Sequence, residues 1–275
     1  MNFSQVAQLF ETIEGTSSRL EKTKLLAHSL KRMSSREAQI VTYLSLGHLD
    51  AVYKNIQFNI ADKGLIEIIA VLVHKSANDI LHKYKEIGDL GDVIQQEWQG
   101  ADSEQSIESI YEDLVACAQL SGNGSTELKL QKLVQLLEKV DSVSAKYIIR
   151  IITKTLRLGF SDMTLLDAFS WMYIGNKSIR LPLEQSYNIC ADLGLVIATL
   201  KEGGLSAIEQ MKSMVGIPIR PAAAERLSTP KEVIEKLGLC AAQPKLDGFR
   251  LQIHLDKTGD VPVVKFYSRN LIDMS

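Results

Sequence analysis

The sequence predicts a multidomain chain, with an all-α region followed by the start of a smaller α+β region. Three observations predict it. Apolar residues keep a helical period through roughly the first 213 residues, with short polar connections between them. Gly216-Ile217-Pro218-Ile219-Arg220-Pro221 then places two prolines and a glycine within six residues, which reads as an extended linker. Beyond it, from Phe249, apolar and polar residues alternate with the period of a strand. The expected boundaries are 1–213 for the helical region, 214–228 for the linker and 229–275 for the first part of a second domain.

Taken in order, Phe3, Val6, Ala7, Phe10 and Ile13 make the buried face of a first helix, ended by Gly15. Ser18-Arg19-Leu20-Glu21 and Ser34-Ser35-Arg36-Glu37 read as capping boxes for the second and third. A further helix runs from about Asp62 to Tyr84, with a break near His74 to Asn78. Gly88-Asp89-Leu90-Gly91-Asp92 is a glycine-punctuated turn, and Ile107 to Ala118 follows the helical period. Ser121-Gly122-Asn123-Gly124-Ser125 is a flexible connection, with Ser125 as N-cap of the next helix. Its Gly- and Ser-rich start can hold a phosphate on backbone N–H groups, or can be an ordinary loop.

Lys146, Arg150, Lys154 and Arg157 follow at spacings of four, four and three. On one helix these form a continuous basic stripe. No acidic residue occurs between Asp141 and Asp162, so nothing nearby in sequence neutralises it. A single-sign stripe is a candidate nucleic-acid contact, against the alternative of a solvated face. Gly159 ends the helix, and Ser161 or Asp162 caps the next. A helix near Pro182 is expected to run through Tyr187, Cys190, Leu193, Ile197 and Leu200 and to stop at Gly203-Gly204. After the linker, Thr229-Pro230-Lys231-Glu232 starts a short helix closed by Gly238. Strands are expected at Leu239–Gln243, Phe249–Asp256 and Val263–Ser268.

Composition narrows the function classes. Hydrophobic content of 45% and charged content of 23% over 275 residues are those of a globular protein. No apolar run approaches the roughly 18 residues of a membrane span, and the N-terminus has no signal pattern. The expected location is therefore cytoplasmic, or nuclear in a eukaryote. Cys117, Cys190 and Cys240 form no metal-spaced pair and read as buried thiols; the five histidines make no ligand set. The net charge of -2 hides an asymmetry. Residues 1–140 carry 14 basic and 19 acidic side chains, and residues 141–275 carry 17 and 14. A polyanion would prefer the second half.

Lys245 stands just after a short apolar run and before the Asp247-Gly248 turn. A lysine held there is a candidate nucleophile if its amine is kept neutral, and otherwise a surface lysine beside a turn. The residues around it decide between these. Lys245-Leu246-Asp247-Gly248-Phe249-Arg250, followed by Phe266-Tyr267-Ser268-Arg269-Asn270, resembles the first two nucleotidyltransferase motifs of ATP-dependent DNA ligases. Gly216 to Pro221 looks like the linker before their adenylation domain. Leu156-Arg157-Leu158-Gly159-Phe160-Ser161-Asp162 and Gly88-Asp89-Leu90-Gly91 look like segments of the helical DNA-binding domain of the archaeal and eukaryotic type.

The resemblance implies an all-α DNA-binding domain followed by the start of an α+β nucleotidyltransferase domain, with ATP and Mg²⁺ as cofactors and nicked duplex DNA as partner. A sliding clamp is a candidate protein partner, and the chain is expected to be a monomer. Lys245 would form lysyl-AMP and pass AMP to the 5′-phosphate of a nick, which the 3′-hydroxyl then seals. Arg250, Arg269 and Gln243 would contact the nucleotide, and Asp247-Gly248 would shape the turn. Gln243 departs from the glutamate common at that position. Lys146, Arg150, Lys154, Arg157, Gly159, Gly124 and Ser125 are the expected DNA contacts. The family's later acidic motifs and its OB-fold domain have no counterpart in the 275 residues, so no metal ligand is expected here. The expectation is an N-terminal fragment, or one half of a split ligase, not competent alone. The alternative is a sequence-independent DNA-binding module.

Overall fold

Polar caps and amphipathic faces set most of the helix boundaries. The computed structural model describes residues 1–101, 104–222, 225–244 and 246–275. Among them, α1 spans Phe3–Glu14, α2 Arg19–Arg32, α3 Ser35–Ser45, α4 Asp62–Leu72, α5 Ala77–Ile87 and α6 Leu90–Glu97. Then come α7 Ile107–Gln119, α8 Ser125–Leu137, α9 Ser142–Thr153, α10 Asp162–Ile174, α11 Arg180–Ile189 and α12 Leu193–Glu209. Helix α13, Pro230–Leu237, precedes strands β1, Leu251–Asp256, and β2, Val263–Ser268, which pair antiparallel with Ile253 opposite Phe266.

Ser34 and Glu37 form the expected reciprocal cap of α3. Ser18 caps α2, but Glu21 turns to Lys24 rather than back to the cap. The turn expected over Gly88–Asp92 is shorter, since Leu90, Gly91 and Asp92 already belong to α6. Gly88 closes α5 in the left-handed region, and Asp89 caps α6 by accepting from the Asp92 N–H. Helices α2 and α10, α3 and α12, and α6 and α9 pack most extensively, around one apolar core that runs from Phe3 to Ile208.

Several expectations need correction. The helix expected from Pro182 to Gly203 is two helices, because the chain leaves helical geometry at Cys190 and Asp192 restarts it as an N-cap. Gly204 is a kink inside α12 and does not end it. Residues 239–243 form no strand, and β1 begins at Leu251 rather than Phe249. Cys117 and Cys190 are buried, but Cys240 is exposed. Burial pushes the Cys190 thiol up to about 12.

The linker lies along the helical region as a strap. Ala191 donates to the Pro218 carbonyl at 3.1 Å, Arg220 donates to the Asn188 carbonyl at 2.9 Å, and the Arg220 guanidinium stacks 4.2 Å from the Tyr187 ring. From the other side, the Gln252 side chain accepts from Ile219 N–H at 3.0 Å and donates to its carbonyl at 2.5 Å. His254 Nδ1 accepts from Gly216 N–H at 3.1 Å, and the Tyr267 hydroxyl donates to Gly216 carbonyl at 2.7 Å. The hairpin thus turns its polar face inward, with Tyr267 buried edge-on to Tyr53. Leu251, Ile253 and Leu255 face outward, Ile253 at 65% exposure.

Behind Tyr53, one carboxylate organises three elements. Asp192 accepts from the Tyr43 hydroxyl at 2.7 Å, the Tyr53 hydroxyl at 3.1 Å and the Leu195 N–H at 2.9 Å. Asp192→Ala leaves two buried hydroxyls and a helix start unsatisfied, and should cost about 3 kcal/mol or more in urea unfolding. Tyr43→Phe, which removes one donor and keeps the ring, should cost about 1 kcal/mol.

Candidate nucleic-acid interface and nucleotide cleft

The basic stripe divides at the end of α9. Lys146 and Arg150 are on the helix, and both are buried, Arg150 completely. Arg150 Nη1 donates to Glu14 Oε2 at 2.6 Å, Nη2 to Asp92 Oδ1 at 2.9 Å and Nε to Asp89 Oδ1 at 3.2 Å. Lys146 Nζ lies 3.2 Å from Asp92 Oδ1, 3.3 Å from Glu11 Oε1 and 3.6 Å from Glu14 Oε2. These cations therefore join α9 to α1 and α6, and the expectation that they face a nucleic acid is corrected. The carboxylates that neutralise them are remote in sequence. Gly91 is required beside them, since a Cβ there would come 2.8 Å from Arg150 Cγ.

Lys154 and Arg157 are exposed, and neither is helical. Lys154 ends α9 with φ 58°, Arg157 has φ 56° and Gly159 φ 68°. Three left-handed residues within six make an unusual loop, and two of them carry side chains that disfavour it. Leu156 and Leu158 anchor the loop in the core, while Lys154, Arg157 and Gly159 face solvent. Arg157 Nε is 3.0 Å from Asp89 Oδ2, an ion pair without an aligned hydrogen bond, and Nη2 donates to the Gly88 carbonyl at 3.4 Å. With Thr153, Thr155, Tyr84 and Asp62 they line a small cleft of about 130 Å³. Those threonine hydroxyls had no signal in the sequence beyond their nearness to the stripe.

At the other expected phosphate site, Gly124 is the N-cap, with φ 76°, and Ser125 is the first helical residue. The expectation that Ser125 caps α8 is corrected. Both residues have open surroundings or partial exposure.

In the second region, Lys245 lies outside the described residues. Its neighbours do converge. Leu246, Asp247, Gly248, Phe249 and Arg250 line an open cleft of about 880 Å³ with Ser268, Arg269 and Asn270. Antiparallel pairing of Leu251 with Ser268 accounts for this, because it sets the residues before β1 beside those after β2. Two guanidinium groups at one cleft suit phosphate or ribose oxygens. Gln243 is exposed on the preceding segment and is not among the lining residues.

The DNA ligase N-terminus family matches residues 2–170. The chain belongs to the DNA ligase family. It is 37% identical over 273 residues to a probable DNA ligase of Dictyoglomus turgidum, covering 99% of this chain and 46% of that protein. It is 36% identical over 283 residues to DNA ligase 2 of Thermofilum pendens, covering 98% and 46%. It is 35% identical over 287 residues to a DNA ligase of Acidianus ambivalens, covering 98% and 47%. The chain spans about half the length of the curated relatives it matches. Among the described residues, no helix is long and apolar enough to cross a membrane.

The buried network of this ligase-family chain carries a pH dependence. Burial disfavours the Glu14 charge, but hydrogen bonds from Arg150 and Tyr147 and the charges of Arg150 and Lys146 outweigh it, so its carboxyl is held below the ordinary value. A depressed carboxyl stabilises the fold above its unfolded pKa, and that contribution is lost as pH falls through the folded one. Urea midpoints should therefore fall below about pH 4. Glu14→Gln should flatten that acid limb while lowering the midpoint at pH 7.

Proposed function

We propose that this chain supplies the DNA-binding region and the nucleotide-attacking lysine of an ATP-dependent DNA ligase that seals nicks in duplex DNA. The observation that carries the reading is the convergence of the Leu246–Arg250 segment, which follows Lys245 directly in sequence, and the Ser268–Asn270 segment on one cleft. Lys245 Nζ, neutral after giving its proton to solvent, attacks the α-phosphorus of ATP. The N–P bond forms and the bond to the leaving pyrophosphate oxygen breaks. The 5′-phosphate oxygen at the nick then attacks the adenylate phosphorus and frees the lysine. The 3′-hydroxyl finally attacks the 5′-phosphate, the sugar–phosphate bond forms, and AMP leaves. Each step is an in-line displacement, so the protein contributes positioning and charge neutralisation.

Arg250 and Arg269 fork onto phosphate or ribose oxygens, and Gln243 reads the adenine edge through its amide. Asp247-Gly248 holds the turn that presents Lys245. Mg²⁺ supplies charge neutralisation on the triphosphate when bound, since hard phosphate oxygens select it. On the helical region, Lys154, Arg157 and Gly159, with Gly124 and Ser125, contact sugar and phosphate groups. Such contacts carry no sequence information, as a nick sealer requires.

A second reading, a DNA-binding module without activity of its own, is favoured by one observation. The apolar face of Leu251, Ile253 and Leu255 on β1, like Ile234 and Leu237 on α13, is exposed. A nucleophile on so weakly packed a scaffold is poorly preorganised. Incubating the 275-residue chain with ATP, Mg²⁺ and nicked DNA should give bound DNA but little protein–AMP. Efficient adenylation by the chain alone would sink the second reading.

The interface is tested by salt. Arg157→Ala should weaken binding to nicked duplex and reduce the slope of log K against log salt by about one. An unchanged slope would remove Arg157 from the interface.

A further inference from the structure

Lys22 is a buried cation that the proposed chemistry does not use. It is 7% exposed and stands in the first turn of α2, four residues after the Ser18 cap. Two effects oppose a cation there. The N-terminal end of a helix carries positive partial charge, and burial strips the ammonium of water. Among the described residues, no carboxylate lies within ion-pair distance of it. Its partner is instead a backbone oxygen remote in sequence, for Nζ donates to the Leu158 carbonyl at 2.5 Å. The next residue, Gly159, packs directly over it, and a Cβ at 159 would come 3.0 Å from Nζ.

The Leu158 carbonyl lies between two of the loop's three left-handed residues. Arg157 at φ 56° precedes it and Gly159 at φ 68° follows. That conformation is natural for glycine but unfavourable for arginine, so some tertiary contact must hold Arg157 in it. Asp89 holds the Arg157 side chain from one side. Among the described residues, Lys22 is the charged side chain that bonds the backbone at this peptide.

We propose that Lys22 is a positioning residue for DNA binding. By fixing the Leu158–Gly159 peptide from beneath, it sets the left-handed turn that directs Arg157 outward and leaves Gly159 open to the duplex. This rests on the reading of the Lys154–Gly159 loop as part of the DNA interface. Lys22 itself touches no phosphate in this arrangement, because the loop covers it.

The test uses the 275-residue chain, a nicked duplex probe and the variants Lys22→Met, Lys22→Arg, Arg157→Ala and the K22M/R157A double. K22M should weaken binding about tenfold, and R157A should do the same. Each should lower the salt slope by about one, and the double variant should still lower it by only about one, because both act through Arg157. K22R, which keeps a donor for the carbonyl, should restore most of the affinity. In the free protein, the backbone amides of residues 155–160 should exchange faster in K22M than in the parent. Parent-like exchange and binding in K22M would overturn the proposal while R157A still reports on the interface. A slope loss of about two in the double variant would also overturn it, since Lys22 would then be contacting a phosphate of its own. If R157A binds like the parent, the interface reading fails and this inference with it. K22Q, shorter and uncharged, serves where K22M does not fold.

Discussion

The Arg150 guanidinium is the constraint on which the helical region depends. It has no exposure, and its donors reach three carboxylates on two separate stretches of chain: Glu14 at the end of α1, and Asp89 and Asp92 at the start of α6. A buried cation of this kind contributes little net stability over an apolar residue of equal volume, because desolvation cancels much of the attraction. Its effect is directional. Each carboxylate must arrive at one edge of a planar fork, so the positions of α1 and α6 against α9 are fixed together. Gly91 belongs to the same constraint, since any larger residue would occupy the space of the arginine stem.

Asp89 extends that constraint to the surface. One of its oxygens receives Arg150 and the α6 cap, and the other faces Arg157 on the exposed loop. The loop after α9 is therefore continuous with the core. It has two strained arginine and lysine backbones, two leucine anchors and a carboxylate that is itself immobilised. Such conformations persist only where the surroundings over-determine them, and here the surroundings are named. A flexible loop of the same composition would lose more entropy on meeting a phosphate backbone, and so would bind more weakly for equal charge.

What could be read from the sequence follows from the range of the physics involved. Ser34-x-x-Glu37, Gly238 and the period of Ile107–Ala118 act within a few residues, and their helix ends appear as expected. Lys146 and Arg150 are buried against the expectation because charge neutralisation is not local. Their carboxylate partners lie from 54 residues away, Lys146 to Asp92, to 136, Arg150 to Glu14, where no spacing rule reaches. The helix after Asp141 was drawn too long for a related reason. Lys154 adopts a left-handed cap usually reserved for glycine, held by packing that the sequence does not display. In β1 the alternation correctly separated two faces, but period alone cannot say which one meets a partner. The polar face does so here, because Gly216 and Ile219 of the strap offer hydrogen-bonding groups to Gln252, His254 and Tyr267.

That strap determines how the cleft at Arg250 and Arg269 is related to the helical region. Its backbone is bonded to residues 188–191 on one side and to three hairpin side chains on the other. Each such bond contributes about 0.5–1.5 kcal/mol net, and those exposed to water sit at the low end. Their sum is small beside the burial of the core that runs from Phe3 to Ile208. Their angular requirements are nevertheless strict, and Gln252 satisfies both groups of a single residue, Ile219. The joint therefore specifies an orientation far better than it resists being pulled from it. Tyr267 adds an apolar contribution, its ring packed against Tyr53, whose hydroxyl bonds Asp192, with Ile217 of the strap against the same cluster. Through that pair the hairpin is fixed to the start of α12 by packing as well as by hydrogen bonds. The cleft at Arg250 and Arg269 thus takes its position from a tyrosine contact at one end of the hairpin and from the strap along its polar face.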